Sequence, residues 1–250
     1  LRKAYVFRAL FEQGEFLEWC YIDVADSWEV LVMKVLLVNG SSHAAGTTMR
    51  ALNEMIKIFN GEGVETEVIQ LGGKPIADCL QCGYCGRAGE CVFKDDGVNE
   101  FVKKAYEADG FVFASPTYYA HPSGRLLSFL DRAFYSSCKN GVYVPFQFKP
   151  GASVVTARRG GTSTNFDVIN KYFGIAQMPI VGSTYWNNLH GLTVDDAEHD
   201  EEGLQVLRNL ARNMVYVMRS FEAARKAGVL PPKTETEAVT NFIRRDDNLK

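Results

Sequence analysis

Met33-Lys34-Val35-Leu36-Leu37-Val38-Asn39-Gly40-Ser41-Ser42-His43-Ala44-Ala45-Gly46-Thr47-Thr48 reads as a buried strand, a small-residue loop and the first turn of a helix. Val35 to Val38 is a continuous apolar run, the pattern of a strand covered on both faces. Gly40 to Gly46 holds only small residues apart from His43, and Leu52, Met55, Ile56 and Phe59 then recur at helical spacing from Thr47 to Phe59. A strand passing through a glycine-bounded loop into a helix is the repeating unit of a parallel sheet.

The same alternation continues. Val64 to Leu71 is a second strand, Val98 to Tyr106 a helix, and Gly110 to Ala114 a third strand ended by Ser115-Pro116. Pro122 suits the first position of a helix whose apolar face is Leu126, Leu127, Leu130 and Phe134. Ala152 to Ala157 and Met178 to Val181 supply the fourth and fifth strands. A long helix near Glu202 to Lys226 presents Leu207, Leu210, Ala211, Met214, Met218 and Phe221 on one face, and Gly228, Pro231 and Pro232 stop it. The expectation is an α/β fold: a doubly wound, flavodoxin-like five-stranded parallel sheet of order 2-1-3-4-5 with helices on both faces. Ligands in such sheets lie outside the carboxyl ends of the strands.

At 250 residues and 46% hydrophobic, the chain can bury one substantial core. A formal net charge of −3 argues against nucleic-acid and anionic-membrane partners, and no apolar run reaches membrane-spanning length. Six cysteines, four of them bunched, do not resemble a secreted disulfide framework, so a cytoplasmic protein is expected. Residues 1–32 read as an extension of uncertain role. They mix Phe7, Phe11, Phe16 and Trp19 with Glu12, Glu15 and Glu18, which fits either an amphipathic helix or a leader without a role. Residues 33–190 form the expected core domain, and residues 191–250 a helix and tail packed on it.

The loop after the first strand suits an anion. The Walker A pattern has four residues between its glycines, followed by lysine; here there are five and no lysine, and G-x-G-x-x-G is absent too. What remains is a hydroxyl-lined cradle of Ser41, Ser42, Thr47 and Thr48 at a helix N-terminus, suited to one phosphate monoester. Such residues also make ordinary strand–helix turns. Beyond the third strand stands Ser115-Pro116-Thr117-Tyr118-Tyr119, and beyond the fourth Arg158-Arg159-Gly160-Gly161. Alone, each reads equally as packing aromatics or a solvated arginine pair. Converging on one sheet edge, they suit a flat ring, with an arginine for its negative charge, and FMN fits all three loops.

Cys79, Cys82, Cys85 and Cys91 fall within thirteen residues as C-x2-C-x2-C-x5-C. Three cysteines at a stride of three begin many iron–sulfur loops, and a single [4Fe–4S] cluster suits the array best. Structural zinc more often uses two separated C-x2-C pairs, and a metal-free or redox-active loop is the remaining reading.

Residues 33 to about 218 resemble the flavodoxin-like NADPH-dependent FMN reductases and, among them, the iron–sulfur flavoproteins. Gly40 to Thr48 is similar to the family's G-S-P-R-x-x-G-N-T loop, with Ser42, His43 and Thr47 where proline, arginine and asparagine are usual. Cys79 to Cys91 with Asp95-Asp96 resembles its cysteine motif, and Ser115 to Tyr119 its S-P-x-Y loop. The resemblance implies FMN phosphate on Ser41, His43, Gly46, Thr47 and Thr48. It puts the ring near Pro116, Thr117, Tyr118 and Tyr119 and near Arg158, Arg159, Gly160 and Gly161. It further implies homodimers or homotetramers, in which Tyr185-Trp186 either covers a neighbouring subunit's flavin or packs in the core. The expected activity is electron transfer from NAD(P)H or a ferredoxin to a small-molecule or protein acceptor, through FMN and the cluster. The alternatives are a metal-free NAD(P)H:FMN or quinone reductase and a non-catalytic redox carrier or sensor.

Overall fold

A computed structural model describes residues 3–6, 20–23, 32–238 and 240. The chain divides into two compact units, residues 1–32 and 33–250. In the first, β1 (Lys3–Val6) pairs antiparallel with β2 (Cys20–Asp23). The aromatic–acidic stretch from Phe7 to Trp19, read from sequence as a helix or leader, lies outside the described residues.

The second unit is built on β3 (Lys34–Asn39), β4 (Glu65–Gln70), β5 (Gly110–Tyr118), β7 (Gly151–Ala157) and β8 (Asn188–His190), all parallel in the order β4-β3-β5-β7-β8. In chain order that is 2-1-3-4-5, with a two-residue strand β6 (His121–Pro122) folded back on β5. Both faces of the central strands are buried, and successive side chains feed opposite layers. Val35, Leu37, Val112, Ala114, Ala152 and Val154 meet the helices α1 (Thr47–Gly61) and α7 (Glu201–Lys226). Leu36, Val38, Phe111, Phe113 and Val155 meet α3 (Val98–Glu107), α4 (Gly124–Ser137) and α5 (Thr162–Ile175). Short helices α2 (Tyr84–Ala88) and α6 (Val194–Glu198) lie in the connections.

Four expectations need correction. The fifth strand is not Met178–Val181: that stretch makes one parallel bridge, Ile180 with Gly151, and pairing resumes only at Asn188–His190. Pro179 has no N–H to give a ladder, and the chain leaves the sheet after Gly182 before returning. Pro122 does not open α4, because it pairs with Thr117 and leaves Ser123 to cap the helix, accepting from Leu126 N at 3.3 Å. Ser115-Pro116 does not end the third strand, which runs on to Tyr118 to meet β6. On α7, Leu207, Leu210, Ala211, Met214 and Met218 are buried, whereas Phe221, expected on the same face, is exposed.

One ionic group fastens α1 to α6 and α7. Glu54 of α1 accepts from Arg208 of α7 at 2.7 Å and from Arg50 at 2.9 Å, and Arg50 also reaches Glu198 at the end of α6. Burial pushes the Glu54 carboxyl up, but the Arg208 and Arg50 guanidiniums outweigh it and hold it below the usual carboxylate range. A depressed carboxylate stabilises the fold above its unfolded value, near 4.3, and that contribution is lost as pH falls through its folded value. Glu54→Gln should cost about 2 kcal/mol in urea unfolding at pH 7. Below about pH 4.3 the gap between wild type and variant should close; a constant gap down to pH 2.5 would contradict the role given to Glu54.

Candidate functional site at the carboxyl edge of the sheet

The loop leaving β3 is shaped by its own polar groups. Ser41 N donates to Asn39 Oδ1 at 3.0 Å and His43 N to Ser41 Oγ at 3.1 Å. Gln70, at the end of β4, donates to Ser41 O at 2.7 Å and accepts from Asn39 at 2.6 Å. Gly40 leaves no choice of residue: a Cβ there would stand 2.7 Å from Ala114 O and 3.0 Å from Leu126 Cβ. At the start of α1, Gly46 offers no capping side chain and the first turn carries no acidic residue. The first N–H groups of α1 therefore face the loop without a side-chain acceptor, as an anion site requires. Ser41 and Thr48 are buried, while His43 is exposed and Gly46 and Thr47 half-buried. Thr48 Oγ1 is engaged with Thr156 Oγ1 at 2.9 Å, tying α1 to β7, so its hydroxyl serves the fold beneath the loop.

The second and third loops touch one another. Tyr119 and Ala120, with φ of 52° and 58°, form a two-residue turn between β5 and β6, the conformation that a tight hairpin favours. Tyr118 is half exposed and Tyr119 fully so, so neither packs in the core. Gly161, at φ 96°, sits beneath the turn: a Cβ there would meet Ala120 Cα at 2.9 Å. Asn165 on α5 donates to Pro116 O at 3.2 Å and Thr117 Oγ1 at 3.0 Å, fixing the hairpin from below. Arg158, Arg159 and Gly160 are exposed at the same edge.

Ser123 joins the first loop to the second. Its hydroxyl donates to Gly40 O at 2.7 Å and accepts from Leu126 N, while its N–H donates to Ser115 Oγ at 2.9 Å. These atoms are buried, so every bond replaces one that water would otherwise make.

The cysteine loop lies on the other side of α4. Cys79, Cys82, Cys85 and Cys91 line one pocket, closed on the inner side by Arg132 and Ser136 of α4. Left-handed residues Gln81, Gly83 and Gly89 curl the chain around it. Cys79 and Cys82 are exposed, Cys85 and Cys91 half-buried, and burial pushes the Cys85 thiol up. Cys91 is held most firmly: its N–H donates to Asn99 Oδ1 at 2.8 Å, Asn99 Nδ2 donates to its carbonyl at 3.0 Å, and Arg132 Nε donates to its sulfur at 3.2 Å. Among the described residues no three His, Cys, Asp or Glu side chains are gathered as closely as a single ion requires. Four thiols lining one pocket are the donor set that a [4Fe–4S] cluster, which brings its own iron and sulfide, would require.

Sequence reasoning thus placed the three carboxyl-edge loops together and the four cysteines around one pocket. It missed Asn39, Gln70, Ser123, Asn165, Asn99 and Arg132, which hold those loops in place. Only Ser123 carried a signal, as a serine three residues before an apolar helical face.

Residues 33–191 match the family described as NADPH-dependent FMN reductase. An iron–sulfur flavoprotein of Methanocaldococcus jannaschii is 31% identical over 192 residues, spanning 75% of this chain and 98% of the relative. One from Archaeoglobus fulgidus is 26% identical over 199 residues, spanning 74% and 97%. Among solved structures, a flavone reductase superposes with a TM-score of 0.60 at 16% identity, over 77% of this chain and 65% of that one. An archaeal flavodoxin does so with 0.50 at 15% identity, over 75% and 99%. At such identities the structural likeness shows the fold alone.

Ser123→Ala removes a helix cap and leaves the buried Gly40 carbonyl without its donor. The expected loss is about 2–3 kcal/mol in urea unfolding. Amide exchange should quicken at residues 40–43 and 115–123 ahead of the rest of the sheet, and uniform quickening would show that Ser123 does not join these loops.

Proposed function

This chain belongs to the NADPH-dependent FMN reductase family, in its iron–sulfur flavoprotein branch, and from that premise we propose that it passes electrons between a reduced donor, NAD(P)H or a ferredoxin, and an acceptor by way of FMN and a [4Fe–4S] cluster. It is a flavin-dependent oxidoreductase. The observation that carries the finer reading is α4, whose cap holds the flavin loops while its interior closes the pocket of the four cysteines. When bound, FMN takes up an electron pair and releases electrons singly, and a thiolate-held cluster carries one at a time.

The residues divide the work. Ser41, His43, Gly46, Thr47 and Thr48 would hold the FMN phosphate, chiefly through backbone N–H groups of the loop and the α1 N-terminus. His43 stands where the family has arginine, so the loop lacks that fixed guanidinium and its N–H groups supply most of the binding. Pro116 to Tyr119 and Arg158 to Gly161 would border the ring and keep water from its buried side. Cys79, Cys82, Cys85 and Cys91 would hold the cluster, with Cys79 and Cys82 toward solvent. Tyr185 and Trp186 are 62% and 56% exposed, available to a second copy in a dimer or tetramer.

Anaerobic reconstitution tests the reading directly. It should yield one FMN and about four iron atoms per chain; a colourless product with neither would reject it. Cys82→Ser and Cys85→Ser should lower iron while leaving flavin bound. NADPH oxidation with FMN and no iron in the wild type would instead favour the metal-free reductase. A cradle built for phosphate should bind FMN at least about tenfold tighter than riboflavin, the worth of one charge-assisted hydrogen bond. Thr47→Glu, which sets a carboxylate in the cradle, should abolish that preference in fluorescence titrations. Equal affinities in the wild type would move the phosphate elsewhere.

A further inference from the structure

Arg132 lies in the middle of α4 and is 2% exposed. A cation so deeply buried persists only where its donors are matched. Its terminal nitrogens are: Asp96 takes both, and Ala77 O accepts from Nη1 at 3.2 Å. The ring of Phe93 covers its face at 4.6 Å. Those partners already anchor the side chain. The Nε–H is left over, and it points at the Cys91 sulfur. That sulfur is itself fixed, because Asn99 grips the Cys91 peptide on both its N–H and its carbonyl.

We propose that Arg132 is a positioning residue that raises the reduction potential of the centre held by the cysteine loop, through its hydrogen bond to the Cys91 sulfur, and that Asp96 limits the rise. The inference rests on the cluster reading above. When the centre gains one electron its sulfurs become more negative, and a donor aimed at one of them stabilises that state over the oxidised one. Burial strengthens the effect, since no water screens the guanidinium. Asp96 supplies an opposite charge to the same guanidinium and weakens its field at the sulfur. Cys79 and Cys82 are exposed, so the field is applied from the inner side of the pocket.

The reconstituted holoprotein, equilibrated with a one-electron dye of known potential, reads this directly: the centre gains the electron that the dye loses. In Arg132→Met the ratio of reduced to oxidised centre should fall at least about tenfold at fixed ambient potential, equivalent to 59 mV. In Asp96→Asn, which keeps the side-chain shape and removes the charge, it should rise. The FMN couple of the same samples should not move. An iron-loaded Arg132→Met with an unchanged or higher ratio overturns the proposal. Should that variant not retain iron, Asp96→Asn decides alone, and an unchanged or lower ratio there overturns it. Wild-type protein that takes up no iron sinks the cluster reading together with this one. Wild type that binds iron but whose potential ignores both substitutions sinks this one only.

Discussion

The buried hydroxyl of Ser123 is the point on which both sites depend. It donates to the carbonyl of Gly40 and caps α4, while its own N–H is held by Ser115. The position of α4 is thereby set from the flavin loops. Nine residues on, Arg132 reaches Cys91 from the same helix. At 1.5 Å per residue the helix carries that reference about 14 Å along its axis. Because a helix interior changes length very little, α4 fixes the separation between the phosphate-loop edge and the cysteine pocket, whichever ligands they hold.

Why α4 does not shift follows from what it packs against. Phe129 and Phe134 enter a cluster in which Phe101, Phe111, Phe113, Phe146 and Phe173 meet ring to ring at 4.3–6.3 Å. Each fully buried ring contributes about 2–3 kcal/mol, and the stacked and edge-on contacts add direction to it. α3, in the same layer, is held at both ends. Its first turn grips Cys91 through Asn99, and at its other end Lys149 donates to Ala105 O at 2.7 Å and Tyr106 O at 3.2 Å. Burial holds that lysine down to about 8, the cost of placing an ammonium where it caps the helix. The opposite layer, α1 and α7 against Val35, Leu37 and Val112, is aliphatic apart from Phe59 and supports the sheet from its other face.

What could be read from sequence was what is repeated along it. Val35–Val38 and Gly110–Ala114 are apolar on consecutive residues, a pattern that suits a doubly covered strand, and their alternation with helical segments pointed to the parallel sheet. The strand at Met178–Val181 misled because an apolar run does not reveal that Pro179 lacks a donor or that the chain departs at Gly182. Asn39, Gln70, Asn165 and Asn99 were invisible for another reason. Gln70, Asn165 and Asn99 act on backbone groups of other segments, and Asn39 on the Ser41 N–H and the Gln70 side chain. An amide looks the same in sequence whether it faces water or such a partner. Arg132 was hidden within an apolar helical face, where a charge reads as an interruption until Asp96 and Cys91 stand beside it.

The cysteine pocket has two unlike sides, and the difference gives it direction. Inward lie Arg132, 2% exposed, with the ring of Phe93 over its guanidinium, and Asn99 holding the Cys91 peptide. Outward lie Cys79 and Cys82 with Leu80, Val92 and Tyr135, which are 62%, 39% and 49% exposed. On the proposed reading, a centre held there would meet an outside molecule on its cysteine-rich face, and its inner face would join it through α4 to the sheet edge. The two halves of the functional reading therefore stand on separate contacts. In the proposed reading, flavin binding would depend on the strand–loop–helix at residues 33–48 and its neighbours at the sheet edge. The cysteine centre would depend on the connection leaving β4, which α4 joins to the same sheet edge.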